Sequence, residues 1–479
     1  MARPFRVYEM SSYFSQADRL FRSRAIPALL DYVRIKSLSP AFDPNWEQTG
    51  EIAKAMELMK SWAEGAAIPG LASRVSSLEG RTPALIIEVP GTRDDLGSVL
   101  IYGHLDKQPA EGPWLHSNDP FEAVVVEDAI FGRGVADDGY SCFAAVTGLE
   151  VLSTEGKDYP KVIILIEASE ESGSPDLEYH IEEISSELQD LRLVVCLDSG
   201  GLDFERLWVT SSLRGNLVVT IDVKVLEQGV HSGSAGGVVP SSFRILRSLL
   251  SAIEDAETGK VLPKWLNSEI PSLFVDRSIE LDRQLNDPLA KAFPSVAGLK
   301  LIGESGSERI LNQTWRPSLA LTGIEGIPDV QSGGNVLRSH TKAKISLRIP
   351  PDVNAEKSLE KLVDLLESQS SEGAEVTVQA EAPAQGWLAP QPTAWVREAL
   401  DSASMEAFSK AAGFCGEGGS IPFLATLGSK FPLAQLVATG VLGPGSNHHG
   451  PDESLRVPMA VAVSVAVAHL LSNTASSKA

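Results

Sequence analysis

The sequence predicts an α/β protein: a largely parallel sheet covered by helices, with an α+β unit inserted into it. Three observations carry this expectation. Continuous apolar runs alternate with helical patterns in the first part of the chain. A later stretch switches to period-two alternation. A Pro- and Gly-containing link, "APAQGWLAPQP" (382–392), then returns the chain to helical and apolar segments. Strands buried on both faces read as unbroken apolar runs, whereas half-exposed strands alternate.

The elements follow in order. "SVLIYGHLD" (98–106) reads as a buried strand ending at His104 and Asp106. "SCFAAVTGLEVLSTEG" (141–156) has helical apolar spacing and stops near Gly156. "KVIILIEASEE" (161–171) is a second buried strand, and "RLVVCLDSGG" (192–201) a third that ends at Asp198. After "LWVTSSLRG" (207–215) the pattern changes. "NLVVTIDVKV" (216–225) alternates, and "PSSFRILRSLLSAIEDAE" (240–257) is an amphipathic helix. "TKAKISLRIPPD" (341–352) is a strand, "AEKSLEKLVDLLESQ" (355–369) a helix and "AEVTVQAEA" (374–382) a strand. A sheet covered on one side fits this second group. The chain therefore divides into a discontinuous domain, 1–213 and 386–479, and an inserted one, 214–385. The 479 residues also exceed one ordinary core.

Composition narrows the function. Acidic residues outnumber basic ones, 63 against 41, for a formal charge of -22. That excess argues against nucleic-acid and anionic-membrane partners. The N-terminal "MARPFRVYEMSSYF" has no apolar leader core. The late run "PMAVAVSVAVAHLL" from Pro458 is shorter than the roughly 20 residues a bilayer requires and reads as a buried helix. The tail "SNTASSKA" reads as disordered. Cys142, Cys196 and Cys415 form no CxxC pair, which points to free core thiols in a cytoplasmic protein.

The chemistry gathers at strand ends. In parallel sheets, sites form just past the carboxyl ends of strands. His104, Asp106, Glu170, Glu171 and Asp198 stand at such ends, and Asp137, Asp138 and His449 join them as candidates. Singly, each has an ordinary reading: "ADDGYS" as a helix N-cap, "EESGS" as an exposed turn, "NHHGPDES" as a polar loop. Together, imidazoles and carboxylates without thiolate suit zinc, manganese or cobalt in a hydrolytic site. One metal takes about four ligands, so this set is large enough for two. Two cations would also remove the cost of setting Glu170 beside Glu171.

These residues carry a resemblance. "GHLDKQP" (103–109), "GRGVADDGYS" (132–141), "EASEESGS" (167–174), "LDSGG" (197–201), "GVHSG" (229–233), "GEGGSIP" (416–422) and "NHHGPDE" (447–453) come in the order of one metallopeptidase family. It includes aminoacylase, succinyl-diaminopimelate desuccinylase, and the carnosine and cytosolic non-specific dipeptidases. The chain resembles the dipeptidase branch most, through "EESGSPDL", "GGSIP" and "GPWLHSNDPFEA" (112–123). The resemblance implies a zinc-exopeptidase-type catalytic domain and a ferredoxin-like lid or dimerisation domain. His104 and Asp198 would bind one metal, Glu171 and His449 the other, with Asp137 bridging. His448 competes with His449, whose spacing to Glu453 fits the family better.

By the same resemblance, Glu170 would be the general base and Asp106 would orient His104. His231 would stabilise the oxyanion, reaching across a homodimer. Asn335, Arg348 and Ser420 would bind substrate, Arg348 by pairing with a carboxylate. Two divalent ions, zinc first, would serve hydrolysis of a dipeptide or N-acyl amino acid. The alternatives are an N-acyl amino acid deacylase or desuccinylase, and a non-catalytic peptide- or metal-binding relative. The chain departs from the family at Gly139 and Tyr140, where lysine and glycine are usual, and at Gly416, where dipeptidases often carry arginine.

Overall fold

The computed structural model describes residues 12–188, 190–369 and 372–477. The leaderless reading of the N-terminus falls largely on residues 1–11, outside that set. A six-stranded sheet organises the larger layer. Its order is Ala72–Ser76, Ala84–Val89, Lys161–Glu167, Ser98–His104, Leu191–Cys196, Gln435–Ala438. The first two junctions are antiparallel and the last three parallel. The antiparallel pair at one edge was not expected from the sequence.

Alternate residues of one strand enter opposite cores, as the pleat requires. Val99 and Ile101 join one core, with helices Ser141–Thr154 and Val457–Ser476. Leu100 and Tyr102 join the other, under helices Leu177–Glu183 and Pro422–Lys430. Apolar side chains on both faces explain the unbroken hydrophobic strings.

Register places the site. His104 lies beside Glu167, and Tyr102 beside Cys196. The three central strands therefore finish at one edge, and their following loops leave together. The strand expected over 161–171 stops at Glu167. Glu170–Ser172 forms a 3-10 turn closed by Gly173 at φ +85°. That left-handed conformation suits glycine, which carries no Cβ to clash.

A second, antiparallel sheet has the order Ser318–Glu325, His340–Ile349, Gly215–Lys224, Glu375–Ala380. Leu217, Val219, Ile221 and Val223 face helices Ser242–Ile253 and Ala355–Ser368 in a core of their own. Two helices missed in the sequence, Ser272–Leu285 and Gly306–Thr314, lie between these strands in the chain. Their Leu281 and Ile310, with Leu289 between them, pack into the larger core instead.

Two readings of the C-terminus need correction. The terminal helix has 20 residues, so length does not disqualify it from spanning a bilayer. Burial distinguishes it: 78% of its most apolar window is covered by the protein. It also continues through Ser476, because "SNTAS" extends the buried face beyond Leu471 by Thr474.

Candidate metal centre and active site

The site grows from the end of strand Ser98–His104. Gly103 is required there, since a Cβ would collide with Ser141 Oγ and sit 2.6 Å from Asp138 Oδ2. That contact lets the His104 amide donate to Asp138 Oδ2 at 3.2 Å. His104 Nδ1 lies 3.1 Å from the Asp106 carbonyl oxygen, which favours the Nδ1–H tautomer and leaves the Nε2 lone pair free. Nε2 is buried and has no hydrogen-bond partner. Around it stand Asp137 Oδ1 at 3.4 Å, Asp198 Oδ2 at 3.8 Å and Glu170 Oε2 at 4.0 Å.

Asp106 acts chiefly on the glutamates. Its carboxylate is 3.5 Å from His104 Nδ1 but accepts the amides of Glu170 and Glu171 at 3.1 and 3.0 Å. One fully buried carboxylate thus fixes the backbone of the adjacent pair. Their side chains then diverge. Glu170 turns toward His104, while Glu171 Oε2 lies 3.3 Å from His449 Nε2.

His449 completes a second cluster, with Nε2 3.0 Å from Asp137 Oδ2. In each group, His104–Asp137–Asp198 and Asp137–Glu171–His449, the donor atoms lie within 4.8 Å of one another. Asp137 belongs to both, one oxygen turned to each imidazole. Asn447, His449 and Asp452 all have positive φ, 50°, 61° and 57°. Non-glycine residues hold that conformation only where their surroundings impose it. Asp452 accepts the Leu115 and His116 amides, and Arg133 donates to the Gly450 carbonyl.

Glu453 is the main clamp, and sequence reading used it only as a spacing marker. It is fully buried and pairs with Arg133 Nη1 at 2.7 Å. It also accepts the amides of Gly134, Ala136 and Asp137. The Asp137 turn and the His449 loop are thereby tied together. The signal for this role was the buried "GRG" before "ADD".

Electrostatics reflect crowded acids. Burial, then Asp198, raises Glu170 well above the ordinary carboxylate range. Burial raises Asp198 to about 7. Burial would raise Asp137 too, but the His104 and His449 imidazoles beside it hold it well below normal. Burial opposes charge on His449, yet Asp137 and Glu171 lift it to about 11. Half of that side chain is accessible, but its Nε2 sits between two carboxylates. A partnerless buried nitrogen and carboxylates competing for protons fit a centre built for divalent cations.

The departures at 139 and 140 are packed against the same centre. A Cβ on Gly139 would collide with Tyr32, and the buried Tyr140 hydroxyl donates to the Leu197 carbonyl beside Asp198.

The remaining expected residues lie elsewhere. His231 is exposed, its Nδ1 accepting the Gly233 amide, and among the described residues it contacts no member of the cluster. Asn335 adjoins it, its carbonyl accepting the Ser232 amide. Arg348 donates to Ser420 Oγ at 3.2 Å, joining the antiparallel sheet to the Gly416–Ser420 loop. His448 belongs to neither donor group and lines a neighbouring cavity.

The description of peptidase family M20/M25/M40 matches residues 100–473. This chain belongs to that family. The peptidase is 26% identical over 388 residues to a cysteinylglycine-S-conjugate dipeptidase of Corynebacterium striatum, covering 81% of this chain and 83% of the relative. It is 27% identical over 352 residues to the human β-Ala-His dipeptidase, covering 70% and 67%. Its structure superposes on the dipeptidase Dug1p of Saccharomyces cerevisiae with a TM-score of 0.80 at 20% identity, over 98% and 99% of the two chains. Human carnosine dipeptidase 1 gives 0.78 at 21% identity, over 97% and 98%. At such identity the structural likeness shows the fold. The expected fold class and family resemblance are borne out.

Proposed function

We propose that this peptidase hydrolyses dipeptides through two divalent cations held by His104, Asp137, Asp198, Glu171 and His449. The observation that carries this reading is the pair of donor groups sharing Asp137, with His104 Nε2 buried and unpartnered between carboxylates. When bound, the cations supply positive charge that polarises the scissile carbonyl and eases deprotonation of water. Zinc suits the donor set ahead of manganese and cobalt.

The protein's own groups do the rest. Glu170 Oε2 takes the proton of the attacking water and returns it to the leaving nitrogen. Its burial raises its proton affinity, which suits a base that must retain a proton between steps. Asp106 holds Glu170 and Glu171 by their amides, so base and ligand keep their separate directions. Arg348 receives the substrate carboxylate, positioned by Ser420. His231 lies exposed in the inserted unit 214–385, away from this chain's cluster. That placement supports action on the partner subunit's site in a homodimer, where it meets the oxyanion. Asn335, beside it, contacts the same substrate. A cytoplasmic setting accords with three buried free thiols.

The relatives bear dipeptidase names, which favours dipeptides over N-acyl amino acids as substrates. The test is metal analysis of the purified peptidase with a panel of dipeptides and N-acetyl and N-succinyl amino acids. The expected result is about two divalent ions per chain, dipeptide cleavage, and loss of activity on chelation. Full activity after exhaustive chelation, or cleavage confined to the N-acyl compounds, refutes it.

A further inference from the structure

We infer that Glu417 is a specificity-determining residue that receives the protonated amino group of the substrate's first residue. The inference deepens the dipeptidase reading and rests on it for the direction in which substrate lies.

Glu417 lines a cavity of about 430 Å³ bordered by the loops after Asp198 and before His449 and by residues 288–294. That falls in the range of small-molecule sites, about 300–1,000 Å³. Gly200, two residues past Asp198, and His448, next to His449, border the same cavity, and the Glu417 carboxylate is close enough to Asp198 to act on it electrostatically. Its far wall is apolar, built by Leu289, Ala292 and Phe293.

The Glu417 carboxylate is fixed by one oxygen. Oε1 accepts the Gly200 amide at 2.7 Å and the Ser199 hydroxyl at 3.0 Å. Among the described residues no hydrogen bond reaches Oε2, and no lysine or arginine pairs with the side chain. A partly buried carboxylate that pairs with no lysine or arginine among the described residues, with only the His448 imidazole as a basic neighbour on the wall of the same open cavity, is complementary to a cationic ligand.

The loop gives the arrangement polarity. Ser420, three residues on, holds Arg348. Arg214 donates to the Gly418 carbonyl at 3.2 Å and to the Arg316 carbonyl and Ser318 hydroxyl at 3.0 Å, pinning the loop to the antiparallel layer. Glu417 and Ser420, which holds the Arg348 guanidinium, thus lie three residues apart on one short loop, so their Cα atoms are at most about 10 Å apart. A dipeptide carries opposite charges at its two ends. Arg348 matches the carboxylate end, Glu417 the ammonium end, and the apolar wall the first side chain. An N-acyl amino acid lacks the ammonium and leaves Glu417 facing an uncharged group.

The test compares alanyl-leucine with propionyl-leucine, which has the same shape without the amine. In wild type, kcat/KM favours alanyl-leucine. Glu417→Gln lowers kcat/KM for alanyl-leucine by roughly 30-fold or more and leaves propionyl-leucine little changed. Glu417→Asp, which keeps the charge on a shorter arm, retains part of the preference. Calorimetric binding of alanyl-leucine to Glu170→Gln, with and without Glu417→Gln, shows the same weakening without turnover.

Equal loss on both ligands, or Asp discriminating no better than Gln, overturns the inference. So does wild type that cleaves the two ligands equally well, although amide hydrolysis would stand. Wild type that binds alanyl-leucine selectively without cleaving it sinks the hydrolytic reading and upholds the amine site.

Discussion

Replacing Glu453 by alanine should damage both stability and cation affinity, although the residue is not among the proposed ligands. Arg133, 1% exposed, would keep its charge in the interior, with the Gly450 carbonyl still accepting from Nη2. Breaking a buried ion pair by removing one partner costs about 3–5 kcal/mol. The amides of Gly134, Ala136 and Asp137 would also lose their acceptor, at about 1–3 kcal/mol for each one left dry. Water entering the cavity would recover part of this, so the ion pair alone sets a floor of about 3 kcal/mol. That is a large share of the usual 5–15 kcal/mol.

Because the same amides place Asp137, cation affinity should fall about 10–100-fold. Urea unfolding reads the first effect and chelator competition the second. Glu453→Gln keeps an oxygen for the amides and should lose less. Adding Arg133→Met to Glu453→Gln should recover stability, since removing both charges spares the desolvation that removing one exposes. A Glu453→Ala protein within about 1 kcal/mol of wild type, binding cations as tightly, would refute the reasoning.

Glu170→Gln should lower kcat by about 10²–10⁴-fold with metal content unchanged; activity near wild type in a steady-state assay would remove Glu170 as the base. Glu167, buried and bonded to Tyr102 and Ser174, is held up at about 7. Its folded form binds the proton more tightly, so its contribution is full below about 4.5 and is lost as pH rises through 7. Glu167→Gln should therefore gain stability relative to wild type by up to about 3 kcal/mol between pH 5 and 8, read from urea midpoints; a constant difference across that range contradicts it. Mixing inactive His231→Ala and Glu170→Gln proteins should restore part of the activity, because a mixed dimer rebuilds one complete site. Mixtures that stay inactive despite subunit exchange would place His231 outside the partner's site.

The sequence was most legible where periodicity is strong. The strands ending at His104 and Glu167 and the helix from Ser141 follow from apolar runs and helical spacing. The two helices around Leu281 and Ile310 were not visible, because their charged faces dilute the apolar stripe. Asp106 and Glu453 show the same limit at the site. Both were legible as acids near the motifs, but their amide partners are set by loops meeting in space. Glu417 gave no signal beyond its motif, since a cavity wall is assembled from segments distant in the chain.

By itself, then, the sequence determined the residue types that can bind hard cations and the strand ends that display them, because both depend on local chemistry and short-range period. Tertiary structure alone decided that Asp137 turns one oxygen to each imidazole, and that Glu170 and Glu171 point apart. It also decided that His231 stands away from this chain's own cluster. Those outcomes depend on sheet register and on buried carboxylates clamping main-chain amides, which act between residues far apart in the chain.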